Sequence, residues 1–373
     1  MGRPSYLTRS ATPQTSPQPA RDGSQLVKRQ YVRFAFYKVF PEWRRLPREE
    51  QADQKRELLD TIKGFGRRML LRPYSTMGTR ADAELLLWQI AESMEPFQEL
   101  ATAIMSTRMG GYLDLTYSFL SQTKRSIYEI RDKPGEDEME RLVIQPTEAK
   151  YLFVYPFIKT RPWYRMTHHT RQGIMDEHIV VGRKYPSVKL NTTYSFGLDD
   201  QEFVVAFETD EPADFLDLVQ ELRETESSLY TLSDTPLFSC INMSLSRALD
   251  SLGGPAISVE EEEEEQQEVW LDWGPADDLP PGETATIYLD GQQVALFNVG
   301  GDIYALSNRC SHARGPLAEG EVDEYECTVV CPWHYAKYDL KTGQVVDGVA
   351  NAPVPSFEVE VRDGIIWVGR KAQ

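Results

Sequence analysis

The sequence predicts an α+β chain in two parts: a doubled ferredoxin-like domain, of the dimeric α+β barrel kind, then a small all-β domain. Three observations predict it. The stretch "STMGTRADAELLLWQIAESMEPFQEL" from Ser75 is echoed by "YSFGLDDQEFVVAFETDEPADFLDL" from Tyr194, each a glycine, an acid, a run of strand formers and a proline opening a helix. The run "VEEEEEEQQE" from Val259 holds seven glutamates and no cation, so self-repulsion keeps it solvated and extended. Beyond it the periodicity changes to short alternating strands with Asp-Gly and Gly-Gly turns.

Residues 1–25 are rich in Ser, Thr and Pro and have no apolar core, which predicts a disordered tail and no secretory signal. The expected compartment is the cytoplasm. The first domain is expected over 26–250, with halves at about 26–130 and 148–245. In each half an aromatic strand leads into an amphipathic helix: "QYVRFAFYKV" before a helix over about 41–65, and "YLFVYPFIK" before one over about 161–181. With the echoed segments this gives strand–helix–strand–strand–helix twice, an antiparallel sheet with helices on one face and room for a cavity between them. "RDKPGEDEMERLVIQPT" (131–147) would join the halves. Residues 256–268 form the acidic linker; Ser258 to Glu268 could span at most about 35–40 Å extended. The β domain is expected over 269–373.

The bulk numbers narrow the function. A chain of 373 residues with a formal charge of −18 lacks the basic footprint that nucleic acid requires, although adaptation to high salt would give the same acidity. No stretch approaches the roughly 20 apolar residues of a membrane helix. Three of the four cysteines crowd near the C terminus in Cys-x-His and Cys-x-x-His spacings, which points to metal binding rather than a disulfide framework.

Those spacings lie in "CSHARGPLAEGEVDEYECTVVCPWH". Cys310-x-His312 and, after eighteen intervening residues, Cys331-x-x-His334 resemble the Rieske ferredoxin signature, as does the surrounding "CPWHYAKYDLKTG". The resemblance implies a 2Fe–2S cluster with two thiolates on one iron and two neutral imidazoles on the other. The alternative is a structural zinc of two Cys and two His, against which the Cys-x-His pair and the lack of a helix under the second pair both argue. Cys327 reads as a small buried hydrophobe. Respiratory Rieske proteins carry a disulfide where this chain has Gly315 and Trp333, and a sulfide-bonding serine where it has Ala336; the tyrosine persists as Tyr338. Fewer hydrogen bonds to sulfur imply a ferredoxin-like, low potential. An unidentified ferredoxin reductase would load such a cluster.

The body offers His168, His169 and His178. The adjacent pair diverges on helix or strand and reads as helix-start or surface residues, so a mononuclear iron held by two histidines is poorly served. A lone imidazole suits haem. Most of 25–242, through "VYPFIKTRPWY", "MDEHIVVGRKY", "SFGLDDQEFVVAFE" and "LRETESSLY", resembles the chlorite dismutase and coproheme decarboxylase superfamily. The resemblance implies haem b or coproheme in the C-terminal half and a homopentamer. It places the proximal ligand on His178, a propionate-binding arginine on Arg183, the Tyr-x-x-x-Lys pair on Tyr155 and Lys159 with Trp163 behind, and an imidazole-bonding glutamate on Glu226.

Chlorite dismutases hold an arginine over the iron; the matching position here is Leu190, whose apolar side chain cannot hold a chlorite oxyanion by charge-assisted hydrogen bonds. The decarboxylases tolerate an uncharged residue there. In them hydrogen peroxide is the oxidant, a tyrosine beside a propionate forms a radical, and carbon dioxide leaves a vinyl group behind, two rounds giving haem b. Three readings follow: a peroxide-dependent coproheme decarboxylase, a self-sufficient haem peroxidase or oxygenase reduced through the cluster, and a haem-binding redox sensor.

Overall fold

The computed structural model describes residues 29–128, 143–258, 270–289 and 292–369. The tail, much of the connection between the halves and the glutamate run lie outside the described residues. The first domain opens with β1 (Tyr31–Val39), α1 (Arg48–Lys63), β2 (Leu70–Ser75), β3 (Leu85–Ala91), α2 (Glu95–Ser106) and β4 (Leu113–Gln122). The second half repeats the order with β5 (Tyr151–Lys159), α3 (Arg161–Arg165), α4 (His168–Gly182), β6 (Lys189–Tyr194), β7 (Phe203–Thr209) and α5 (Pro212–Glu224). It ends with β8 (Thr231–Ser233), β9 (Phe238–Asn242) and α6 (Leu245–Ser251).

Both predicted helices are shorter than the periodicity implied. Over 41–65 the chain first makes a 3-10 turn at Trp43–Arg45, and the α-helix starts only after Pro47, whose extended backbone resets the direction. Over 161–181 two helices form, because Thr167 is extended and caps α4, its Oγ1 accepting from the Thr170 amide.

Sheet pairing confirms the doubling. The strand order β7-β6-β4-β1-β3-β2-β9-β5-β8 contains β4-β1-β3-β2 and its counterpart β6-β7-β5-β9, and the β7–β5 pairing closes the sheet into a barrel. Strand alternation then makes separate cores. On β1, Val32, Phe34 and Phe36 point inward, where they meet Trp88, Val154, Val204 and Phe238. Ala35, Tyr37 and Val39 point outward under the first half's helices, packed with Trp43, Leu58, Leu100, Ile104 and Leu249.

The two helical layers differ. The first is filled solid, and Ile257 adds to it, with its amide on Asp250, so the first domain packs on past the expected linker start at 256. The second has a smaller cluster, including Phe153, Tyr155, Phe207, Phe215 and Leu218, and leaves a cavity beside it.

The C-terminal domain is all β, as the alternation predicts. One sheet holds β10 (Trp270–Pro275), β11 (Thr284–Leu289), β12 (Gln292–Val299), β13 (Asp302–Ser307), β18 (Ser356–Arg362) and β19 (Ile365–Gly369). A smaller sheet holds β14 (Glu321–Asp323), β15 (Thr328–Val330), β16 (Lys337–Asp339) and β17 (Val345–Asp347). Asp363 and Gly364, with φ of 51° and 75°, make the tight turn between β18 and β19. Cys327 is half-buried rather than buried, since its φ of 54° sets it at the β14–β15 turn, beside Tyr304. Among the described residues no helix is long and apolar enough to cross a membrane.

The two domains touch. Tyr288 of β11 packs against the barrel core, and Arg67 pairs with Asp272 at 3.2 Å. The Gln145 side-chain amide donates to the Arg314 carbonyl at 3.2 Å.

Candidate functional site

A cavity of about 660 Å³ lies between the outer face of β5, β6 and β7 and the helices α4 and α5, a size suited to a cofactor-sized ligand. Strand alternation sends Tyr155, Phe157 and Lys159 into it from β5, and Leu190, Thr192 and Tyr194 from β6. Between them, the Asn191 side-chain amide donates to buried Glu208 at 2.7 Å, which holds β6 against β7. Helix spacing aims Met175, His178, Ile179 and Gly182 at the cavity, and Arg183 caps the helix at its rim. Tyr155, Lys159, Trp163, His178, Arg183 and Leu190 all line this one space.

His178 stands half-buried on the helix side, its Nδ1 3.1 Å from Ser227 Oγ. Burial, aided by the charge of Lys159, pushes its pKa down to about 4, so the ring is neutral and Nε2 is available as a metal ligand. Lys159 Nζ donates to the Ser227 carbonyl at 2.9 Å and lies 4.6 Å from the centre of the Trp163 ring, which is 2% exposed. Burial lowers the Lys159 pKa to about 8. Tyr155 stacks on Phe207 at 5.9 Å, and burial raises its phenol far above the ordinary value. Leu190 is 48% exposed, an apolar residue on the open side of the cavity wall.

One assignment is corrected. Glu226 does not reach the imidazole: it begins a 3-10 turn with its side chain in solvent, while its backbone amide donates to the Glu177 carboxylate at 3.1 Å. Ser227, 2% exposed, is the residue turned inward. The two are adjacent polar residues in "LRETESSLY", and only the turn decides which one faces the helix.

The second site is built from two loops with the same hydrogen-bond pattern. In the first, the Cys310 amide donates to Gly315 O at 2.9 Å and the Arg314 amide to Cys310 O at 2.8 Å. In the second, the Cys331 amide donates to Ala336 O at 2.8 Å and the Tyr335 amide to Cys331 O at 3.1 Å. Arg314 and Tyr335 both take left-handed backbone, φ 59° and 61°, uncommon for non-glycine residues and typical of functional sites.

These turns bring the Cys310 and Cys331 thiols together in one buried core with Leu317, Val329 and Tyr338. The rings of His312 and His334 stand 4.8 Å apart at 88°, nearer the surface. Tyr338 OH lies 3.1 Å from Cys310 Sγ and 3.0 Å from Ser311 Oγ. Gly315 is required by space: a Cβ there would lie 2.7 Å from Cys331 Sγ and 3.0 Å from the Trp333 indole. Among the described residues no three His, Cys, Asp or Glu gather as a metal site. A zinc of two Cys and two His would need four on one point, whereas a Rieske cluster takes a thiol pair and an imidazole pair.

Sequence reasoning missed that the two sites adjoin. Ala313, Arg314 and Trp333, from the cluster loops, also line the cavity. No local pattern announces a contact between domains.

Fold and site together define an α+β barrel protein with a ligand cavity under its second helical layer, joined to an iron–sulfur module. Residues 48–243 match the chlorite dismutase family and residues 269–358 the Rieske [2Fe-2S] domain; the chain belongs to the chlorite dismutase family and carries a Rieske domain. The coproheme decarboxylase of Mycolicibacterium smegmatis is 28% identical over 188 residues, 50% of this chain and 73% of that one. The 3-phenylpropionate/cinnamic acid dioxygenase ferredoxin subunit of Escherichia coli K12 is 39% identical over 94 residues, 25% of this chain and 87% of that one. The chlorite dismutase of Candidatus Nitrospira defluvii, solved in complex with imidazole, shares the fold with TM-score 0.55 at 23% identity, over 60% of this chain and 94% of that one. The cofactors of these families are haem or coproheme and a 2Fe–2S cluster, and the chain presents a site whose residues fit each.

Proposed function

We propose that the protein is a peroxide-dependent coproheme decarboxylase that makes haem b, with a Rieske module beside its porphyrin pocket. The observation that carries this reading is the cavity wall itself, where a neutral imidazole, a protonated phenol and a set of cations surround an apolar space. His178 would ligate the iron from the helix side, with Ser227 setting the orientation of the ring. Arg183 and Lys159 would offset the propionate charge. An iron porphyrin bound here supplies, with peroxide, the oxidising equivalents. Tyr155 keeps its proton at neutral pH, so its hydroxyl would yield a proton and an electron to the peroxide-oxidised cofactor and recover them as a hydrogen atom from the propionate, whose second electron would return to the cofactor as carbon dioxide leaves. Leu190 offers no donor for an oxyanion, which disfavours chlorite as a substrate. The cluster loops would carry the 2Fe–2S centre on Cys310, His312, Cys331 and His334.

Feeding coproheme and hydrogen peroxide to the purified protein tests this. Haem b detected by mass supports it; an unchanged porphyrin after peroxide turnover overturns it. A second reading, a haem peroxidase or oxygenase reduced through the cluster, is favoured by Trp333 and Arg314 standing in the same cavity wall. It predicts unchanged porphyrin and iron reduction that depends on the cluster.

Two further outcomes follow. Lys159 is charged below its pKa of about 8 and neutral above it, so affinity for a carboxylate-bearing porphyrin should fall as pH rises through that region. Lys159→Gln should remove that limb of the titration. Ser227→Ala should weaken iron porphyrin binding about tenfold through the loosened imidazole, while Glu226→Gln leaves it unchanged. Absorbance titrations of the two variants read this directly.

A further inference from the structure

We infer that the iron–sulfur domain completes the porphyrin pocket of its own chain, Arg314 taking a carboxylate side chain of the tetrapyrrole and Trp333 closing the wall beside it. This rests on the porphyrin reading above and adds a binding role for the cluster loops.

Charge is the first argument. Among the described residues the cavity is lined by the cations Lys124, Lys159, Arg183, Lys189 and Arg314 and by no aspartate or glutamate, Lys189 being shared with buried Glu208 at 3.8 Å. In a chain of net charge −18 such a one-sided wall selects an apolar ligand with several carboxylates. Arg314 is the cation contributed by the second domain.

Preorganisation is the second. The Arg314 backbone is held in left-handed conformation by its amide on Cys310 O and by Gln145 Nε2 on its own carbonyl, and Gln145 lines the cavity too. Its guanidinium makes no hydrogen bond or ion pair among the described residues. Close by, Arg309 has a buried Nε without a partner among the described residues. Of the neighbouring carboxylates, Glu148 is engaged by Arg72. A cluster of guanidiniums short of anions is what a carboxylate ligand would balance.

The third argument is placement. Trp333 sits between ligand-bearing positions, with its ring 3.0 Å from where a Gly315 Cβ would stand, and its outer side faces the cavity. The indole thus joins cluster loop and pocket as one packed surface.

The test uses the full-length protein with its cluster loaded, verified by spin resonance. Ferric coproporphyrin is titrated into wild type, Arg314→Ala, Arg314→Lys and Arg314→Glu and followed by absorbance. Affinity should fall about tenfold for alanine, recover in part for lysine and fall further for glutamate, with the cluster signal unchanged. In unaltered protein, porphyrin should slow hydrogen exchange at the amides of 311–315 and 333–335. Wild-type affinity in Arg314→Ala, or no protection of those amides in porphyrin-bound wild type, overturns the inference and leaves the pocket reading standing. Wild type that binds no porphyrin at all removes both. Should Arg314→Ala lose its cluster, the exchange comparison on unaltered protein decides alone.

Discussion

Tyr155→Phe is expected to bind coproheme as the wild type does and to lose peroxide-driven decarboxylation by about a hundredfold or more. The substitution removes one oxygen and keeps the ring that stacks on Phe207 at 5.9 Å, so the wall of the cavity is preserved. What disappears is the only part of the side chain able to yield a proton with an electron. Burial holds that proton in place at neutral pH, since it raises the phenol well beyond its ordinary range. Simple peroxidase turnover of a small reducing dye should persist, because it does not need the tyrosine. Haem b formation by Tyr155→Phe at the wild-type rate would remove Tyr155 from the chemistry.

Gly315→Val should abolish the 2Fe–2S cluster, and Gly315→Ala should lower its occupancy. The first added carbon would sit 2.7 Å from Cys331 Sγ, a thiol in the cluster-binding pair, and the Trp333 ring blocks retreat on the other side. Overpacking of this kind costs about 1–3 kcal/mol, and a cluster ligand cannot relax without leaving its iron. Cys327→Ser is the control: this cysteine lies at a turn beside Tyr304, away from the paired thiols, so the reduced spin-resonance signal should be retained. A full Rieske signal from Gly315→Val would contradict the geometry of the loops.

The doubled topology was legible because each half carries the same punctuation. Pro96 and Pro212 stand in the first turns of α2 and α5, shortly after strands β3 and β7. The cluster loops were legible because ligand chemistry demands particular residue types at fixed spacing. Local breaks were less so: Pro47 and Thr167 interrupt helices that hydrophobic periodicity alone would run through. The exchange of Glu226 for Ser227 turned on one residue of rotation in a 3-10 turn, which a list of polar residues does not encode. Least legible was the meeting of the domains. Arg314 reads as an ordinary loop residue until Gln145, some 169 positions earlier, is seen to hold its carbonyl.

The difference between the halves is also physical. Both strands β1 and β5 alternate in the same way, yet the space above the first is taken by Trp43, Leu58 and Leu249, all fully buried. Above the second, the helix α4 presents Gly182 and His178 where a solid layer would need large apolar groups. One half of the duplicated fold is therefore a stable base, and the other can admit a ligand.

The most direct measurement is the optical and spin-resonance spectrum of ferric coproporphyrin bound to the wild type and to His178→Ala. The wild type should show one imidazole on the iron, and His178→Ala should lose that signature and regain it when free imidazole is added. The same axial signature in His178→Ala without added imidazole would contradict the assignment of His178 as the residue that holds the porphyrin.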